Sequence, residues 1–435
     1  MDYIFQIYVL FSILALFVDI KTGISLYLFY FILVPVDLPM LFTSTNTVFH
    51  LFLLISLMFH AGKKKKHVTY LTIFKPFLPI VLMYLVLFMF TPFQEYVPFG
   101  RELQVWQNQM RIYFILPIVM WYVANIDSTS VRYFNVSVLA ASLVVLLYGL
   151  FLLQFEGFNP YVMYLANKAD ITLSDTTLEL NNQFRYLRRV SSVFMHPMSY
   201  GLFLTLLLCY LFSIRNKLNN IVFVVFMALN MVCIFYSGIR TPLIAFFIAT
   251  VTYLFFIRNF KVAALIIVLG IAGMLVISSI PELRGTIVSI YDKKSDVDGS
   301  SIDMRLNQLE GCFKEISDCA LMGKGYEWSM YYIGKNGSHP TILSFESVVF
   351  RVLCNWGVLG LLLYIFSYFR LSVRTFKMLP NQDSKALSLA FIFAFLAYCV
   401  GTGDYQYTTL FMLFFSLFIS NFNVATSDYK TISKK

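Results

Sequence analysis

The sequence predicts an all-α protein, a polytopic bundle of about 12–13 transmembrane helices with a long outer-side loop that contains an amphipathic helix. Three observations predict it. Hydrophobic residues fill 59% of the 435 positions and charged residues 13%, against about 25% charged in an ordinary soluble domain. The apolar residues are gathered in blocks long enough to cross about 30 Å of hydrocarbon at about 1.5 Å per residue. The bases behind the formal charge of +10 punctuate the chain between these blocks. That is how topology signals are distributed, and it argues against nucleic acid as a partner.

Taken in order, spans are expected at 3–20, 24–43, 46–62, 76–93, 112–126, 134–156, 197–214, 220–237, 241–257, 262–280, 347–369, 386–401 and 406–423. The first block has no basic leader and no small-residue cleavage site, so it reads as a retained span. Lys63 to Lys66 form the densest basic run and are expected in the cytoplasm. Counting on from there, Arg132, then Arg215 and Lys217, then Arg258 and Lys261, then Arg370, Arg374 and Lys377, and the tail with Lys430, Lys434 and Lys435, all fall on the same side. A miscount by one span would break that agreement. The opposite side receives 94–111, 157–196 and 281–346, segments too long to report topology by their own charges.

The whole of 1–435 is expected to form one integral membrane domain, with 281–346 its large outer loop and 157–196 a second. Within the large loop, Ile302, Leu306, Leu309, Phe313 and Ile316 recur at helical spacing, the mark of an amphipathic helix. Cys209, Cys233, Cys354 and Cys399 sit in or beside apolar blocks as small packing residues. Cys312 and Cys319 lie about 10 Å apart if helical, beyond disulfide reach. No metal-ligand spacing of Cys or His occurs, and no cofactor is expected. The spans carry no row of carboxylates and no internal repeat, the usual marks of ion-coupled transport.

Three outer-side stretches carry candidate chemistry. Arg185 to Gly201 holds the cluster Arg185, Arg188 and Arg189, then His196-Pro197 at a helix start, where Pro suits the first turn. Tyr236 to Leu243 is a turn so short that Arg240 must lie at the bilayer boundary. An arginine there is costly unless it meets water, a carboxylate or an anion, and its planar fork suits phosphate. The plainer reading of these arginines is that they snorkel to lipid headgroups. The third stretch runs from Met304-Arg305 through Gly323-Lys324-Gly325 and Ser338-His339-Pro340 to Glu346-Ser347, eleven and fourteen residues before Gly357 and Gly360.

In their order and spacing these motifs resemble the bacterial O-antigen ligase and O-antigen polymerase (Wzy) superfamily, over about 185–365 in motifs and along the whole chain in hydropathy. The resemblance implies a glycosyltransferase of the inner membrane, working at the periplasmic face without a metal. Its donor would be an undecaprenyl-diphosphate-linked glycan, passed to a sugar hydroxyl with inversion at the anomeric carbon. It implies that Arg189, Arg240 and Arg305, with Arg188 as a further choice, face the leaving pyrophosphate; His196 is a further candidate site residue. The ligases have a His-Asn pair where this chain has Glu346-Ser347. A carboxylate can accept a proton at neutral pH, so Glu346 is the first choice of general base and His339 the second. The departure favours a polymerase of lipid-linked repeat units over a ligase to lipid A–core. A lipid-linked glycan flippase or transporter is the alternative of another class, and a Wzz-type chain-length regulator is a partner implied by resemblance alone.

Overall fold

The computed structural model describes residues 3–40, 43–61, 70–94, 96–155, 158–171, 189–257, 302–403 and 406–422. The protein is an all-α polytopic bundle. Its helices are α1 (Ile4–Val18), α2 (Ile20–Leu33), α3 (Thr45–Ala61), α4 (Tyr70–Phe74), α5 (Leu78–Phe90), α6 (Phe99–Ile126), α7 (Ser128–Leu153), α8 (Pro160–Lys168), α9 (Pro197–Ile214), α10 (Asn220–Tyr236), α11 (Thr241–Ile257), α12 (Ile302–Glu315), α13 (Trp328–Asn336), α14 (Val348–Met378), α15 (Gln382–Gly401) and α16 (Gln406–Ser420). Among the described residues five helices are long and apolar enough to cross a membrane: those over Phe99–Ile126, Ser128–Leu153, Pro197–Lys217, Val348–Met378 and Gln382–Gly401. Shorter apolar helices stand at the other expected spans, α1, α2, α3, α5, α10, α11 and α16. The span expected at 262–280 lies outside the described residues.

Two boundaries differ from expectation. The second block ends as a helix at Leu33, and a small hairpin, Pro39–Met40 against Thr43–Ser44, follows it. Residues 99–111, expected as an outer loop, are instead the first turns of the 28-residue α6. Many large apolar side chains lie outward, among them Ile7, Leu14 and Val18 on α1, Met58 on α3, Ile221 on α10 and Phe255 on α11. In water such apolar faces would aggregate, whereas hydrocarbon accepts them.

The chain divides into two compact units. The first comprises Met1–Ile73, Ile112–Leu243 and Leu410–Lys435; the second comprises Phe74–Arg111 and Ile244–Thr409. In the first, α2 packs on α1 and α7, and α9 is buried along nearly its whole length. Polar groups inside it bond to one another, as hydrocarbon requires. Tyr210 Oη donates to Asn135 Oδ1 at 2.6 Å, Asn135 Nδ2 to Asn421 Oδ1 at 2.9 Å, and Lys217 Nζ to the Asn421 carbonyl at 2.8 Å.

These contacts check the span register. Lys217 and Asn421 follow spans that the charge count ends on one side, and Lys21 Nζ meets Asp127 at 3.4 Å on that same side. Tyr161 Oη donates to the Leu33 carbonyl at 2.8 Å, where α2 ends short of its expected span.

In the second unit α14 packs on α5, α12, α13 and α15. It breaks at Gly357, where φ is 66° and ψ −166°. The break frees backbone carbonyls, and the glycine-rich segment answers them. Lys324 N donates to Cys354 O and Gly325 N to Asn355 O, both at 2.9 Å, while Val358 N reaches back to Ala320 O at 2.9 Å. A Cβ on Gly357 would stand 2.5 Å from the Leu321 carbonyl. Gly357→Ala is therefore expected to cost about 1–3 kcal/mol in backbone strain alone, with the collision added. Thermal unfolding followed by size-exclusion fluorescence would show it as a large fall in Tm. An unchanged Tm would mean that the break is not needed.

Candidate active site

The element of the second unit that holds α12 and α13 is built on a small core of Cys312, Ile316, Trp328, Ile342, Phe345, Phe350 and Cys354. All six cysteines of the chain are free. The element is anchored beside α6 by Gln94, whose Nε2 donates to the Met322 carbonyl, and by Gln109, whose Nε2 donates to Glu327 Oε1 at 3.0 Å. Tyr96 Oη donates to Asp318 Oδ2 at 2.6 Å. That bond pushes the Tyr96 hydroxyl up to about 12 and holds the Asp318 carboxyl below its usual value.

Helix α12 divides the apolar positions that predicted it: Ile316 is buried, whereas Leu306 is 57% exposed and Phe313 50%. Gln308, Gly311, Cys312 and Ile316 are the buried positions, with Arg305 and Glu315 half-buried on the same stripe. These residues recur at three and four, so they share one face. The helix turns a mixed polar stripe inward and leaves two large apolar side chains outside.

That stripe brings predicted residues together. Arg305 Nη2 donates to Glu346 Oε2 at 3.1 Å and to the Gly401 carbonyl at 2.9 Å. Both side chains keep an outlet to solvent, 21% and 27% exposed. Glu346 is delivered by a tight loop in which Leu343 and Phe345, neither a glycine, have φ of 58° and 53°. Backbone strain of this kind persists only where its surroundings over-determine it, and it clusters at functional sites. The next residue, Ser347, caps α14: its Oγ accepts from Val349 N at 3.2 Å and donates to Val400 O at 2.9 Å. Gly403 lies so close that a Cβ there would meet the Ser347 carbonyl carbon at 2.5 Å. The carboxylate is thus set at a helix start, fixed from both sides.

His339 is held differently. It is 5% exposed. Its Nδ1 accepts from Thr341 N at 3.2 Å and Ile342 N at 3.0 Å, so its Nε2 carries the proton and donates to Glu315 Oε2 at 3.1 Å. Glu315 Oε1 also accepts from Lys324 Nζ at 2.6 Å. Both ring nitrogens are committed. Sequence reasoning passed over Glu315 and Gln308. The signal was there in the spacing of Arg305, Gln308, Cys312 and Glu315, read as a polar stripe instead of an apolar one.

Arg189 and Arg240 belong to the first unit, whereas Arg305, His339 and Glu346 belong to the second. Arg188 lies outside the described residues. Within the first unit the two arginine motifs come together, because Val190 N donates to the Ser237 carbonyl at 3.4 Å. Arg189 is buried at 4% exposure. The turn that carries Arg240 is explained locally. Ser237 Oγ accepts from Ile239 N at 3.3 Å, Gly238 takes φ of 67°, and Thr241-Pro242 opens α11. Arg240 is left half-buried at the helix start. His196 is the cap of α9, its Nδ1 accepting from Met198 N at 3.1 Å. Among the described residues no three side chains of His, Cys, Asp or Glu gather as a metal site would need.

The family model described as O-antigen ligase, Wzy_C, matches residues 222–365. A region of the O-antigen ligase and polymerase superfamily therefore lies in this chain, and it contains Arg240, Arg305, His339, Glu346, Gly357 and Gly360. Arg188, Arg189 and His196 precede it. The chain matches none of the curated proteins with which it was compared.

Proposed function

We propose that this multi-pass membrane protein, with its O-antigen ligase region, is a polymerase of undecaprenyl-diphosphate-linked oligosaccharide repeat units. It works at the periplasmic face of the bacterial inner membrane. The observation that carries the reading is the Arg305–Glu346 pair, 3.1 Å apart and reachable from solvent, inside the matched region. Such a pair supplies the two things an inverting transfer needs, a fixed cation for the leaving group and a base for the acceptor.

The acceptor hydroxyl gives its proton to Glu346, and its oxygen bonds to the anomeric carbon. The bond from that carbon to the pyrophosphate oxygen breaks, and the lipid diphosphate leaves with the electron pair beside Arg305. In the resting protein Arg305 and Glu346 neutralise one another. Incoming diphosphate competes for the guanidinium and leaves the carboxylate ready to accept. Glu346 ranks before His339 as base because the histidine has no uncommitted nitrogen. Arg189 and Arg240 are proposed as the first unit's ligands for an anionic headgroup, with Arg188 beside them in sequence.

The reading of polymerase over ligase rests on Glu346-Ser347 standing where ligases resemble one another in His-Asn. Purified protein given only a lipid-linked repeat unit is expected to produce a ladder of polymer. Transfer seen only when lipid A–core is added would establish the ligase instead. Topology has its own test. Lys335→Cys, at an exposed position, in a Cys319→Ser background, is expected to react with an impermeant maleimide from outside spheroplasts, and Lys64→Cys is not. The reverse pattern would overturn the orientation.

A further inference from the structure

Gln308 is 1% exposed, and among the described residues neither its amide nitrogen nor its amide oxygen has a hydrogen-bond partner. Buried amides in native proteins are nearly always bonded, because an unmade bond leaves the whole desolvation penalty uncompensated. A group kept in that condition calls for a ligand. Its place says which one. On α12 it follows Arg305 by three residues, so the two Cβ atoms lie about 5–6 Å apart on one face. One turn further on, the stripe is closed, since a Cβ on Gly311 would stand 2.7 Å from Thr341 Cγ2. Towards Arg305 it opens, where the Arg305–Glu346 pair keeps its exposure to solvent.

We propose that Gln308 binds the first sugar of the donor, through the hydroxyl or acetamido group next to the anomeric carbon. The inference rests on the function proposed above. In a lipid-diphosphate-linked glycan the first sugar is joined directly to the diphosphate, so a residue one turn from the diphosphate's arginine meets that ring. When diphosphate takes Arg305 from Glu346, the pair opens and the amide behind it is uncovered. A primary amide both donates and accepts, which suits a vicinal hydroxyl or an acetamido group. Bonds to the substituent beside the reacting carbon strengthen as the anomeric centre becomes cationic.

The test uses the full-length protein with a lipid-linked repeat unit and with its analogue lacking the substituent at the 2-position of the first sugar. Gln308→Met keeps the length of the side chain and removes the amide. It is expected to lower kcat/KM about tenfold or more, and to leave Tm at or above that of the wild type, because an unbonded buried amide has been removed. The analogue is expected to be poor for the wild type and no worse for the variant. Normal kcat/KM in the variant, with wild type active and Arg305→Ala inactive, overturns this inference and leaves the proposed function standing. A fall in Tm together with activity, with the variant still discriminating against the analogue, also overturns it, since the amide is then bonded within the protein. A wild type that transfers no glycan overturns the proposed function, and the inference with it.

Discussion

Arg305→Ala is expected to lower kcat for glycan transfer by about 10²–10³, the cost of removing one fixed donor aimed at developing negative charge. The bonds to Glu346 Oε2 and to the Gly401 carbonyl leave with the side chain. Both partners border solvent, so water can replace the lost donor and the fold should hold. Arg305→Lys restores the charge without the planar fork, and a single ammonium cannot repeat the guanidinium's geometry toward two phosphate oxygens. Lysine should therefore recover little of the rate. Steady-state kinetics on purified protein, with Tm as the control for folding, decides the matter. Transfer at near wild-type rate in both variants would sink the assignment of Arg305 to the leaving group.

Glu346→Gln is expected to cost on the order of a hundredfold or more in kcat, the usual share of general-base catalysis. The amide keeps the size of the side chain and an oxygen for Arg305, but it cannot take the acceptor's proton. Because the charge that competes with diphosphate for Arg305 is also gone, KM for the lipid-linked donor should stay level or fall while kcat drops. That split separates a base from a residue that merely holds the site in shape.

His339→Ala should behave in the opposite way. It removes the acceptor for two backbone amides and the donor to Glu315, so Tm is expected to fall, with a smaller loss in kcat among molecules that remain folded. A Glu346→Gln enzyme with full activity beside a folded but inactive His339→Ala enzyme would make histidine the base.

The class of the protein was legible in the sequence because it depends on local quantities. Whether a block of residues belongs in hydrocarbon depends on its summed transfer free energy, and which side its ends take depends on nearby bases. Lys21 with Asp127 and Lys217 with Asn421 pair as the expected order of spans requires. The place of Arg240 was legible too, since a turn of a few residues between two apolar blocks sets an arginine at a helix start. Arg305 and Glu346 were singled out separately. That they meet, across 41 residues of chain, was decided by the packing of α12 and the loop after it against α14.

Tertiary structure alone decided the rest. The apolar period in α12 predicted an amphipathic helix, and the fold turned Arg305, Gln308, Cys312 and Glu315 inward and left Leu306 and Phe313 outside. Periodicity identifies a face but not its neighbour. In a membrane protein an outward apolar side chain carries little of the penalty that would drive it inside in water. The commitment of both His339 nitrogens and the carbonyls freed at Gly357 for Lys324 and Gly325 are matters of which groups meet. Buried polar groups must find partners wherever the chain brings them, and that is a property of the folded whole, with no trace in any local window of sequence.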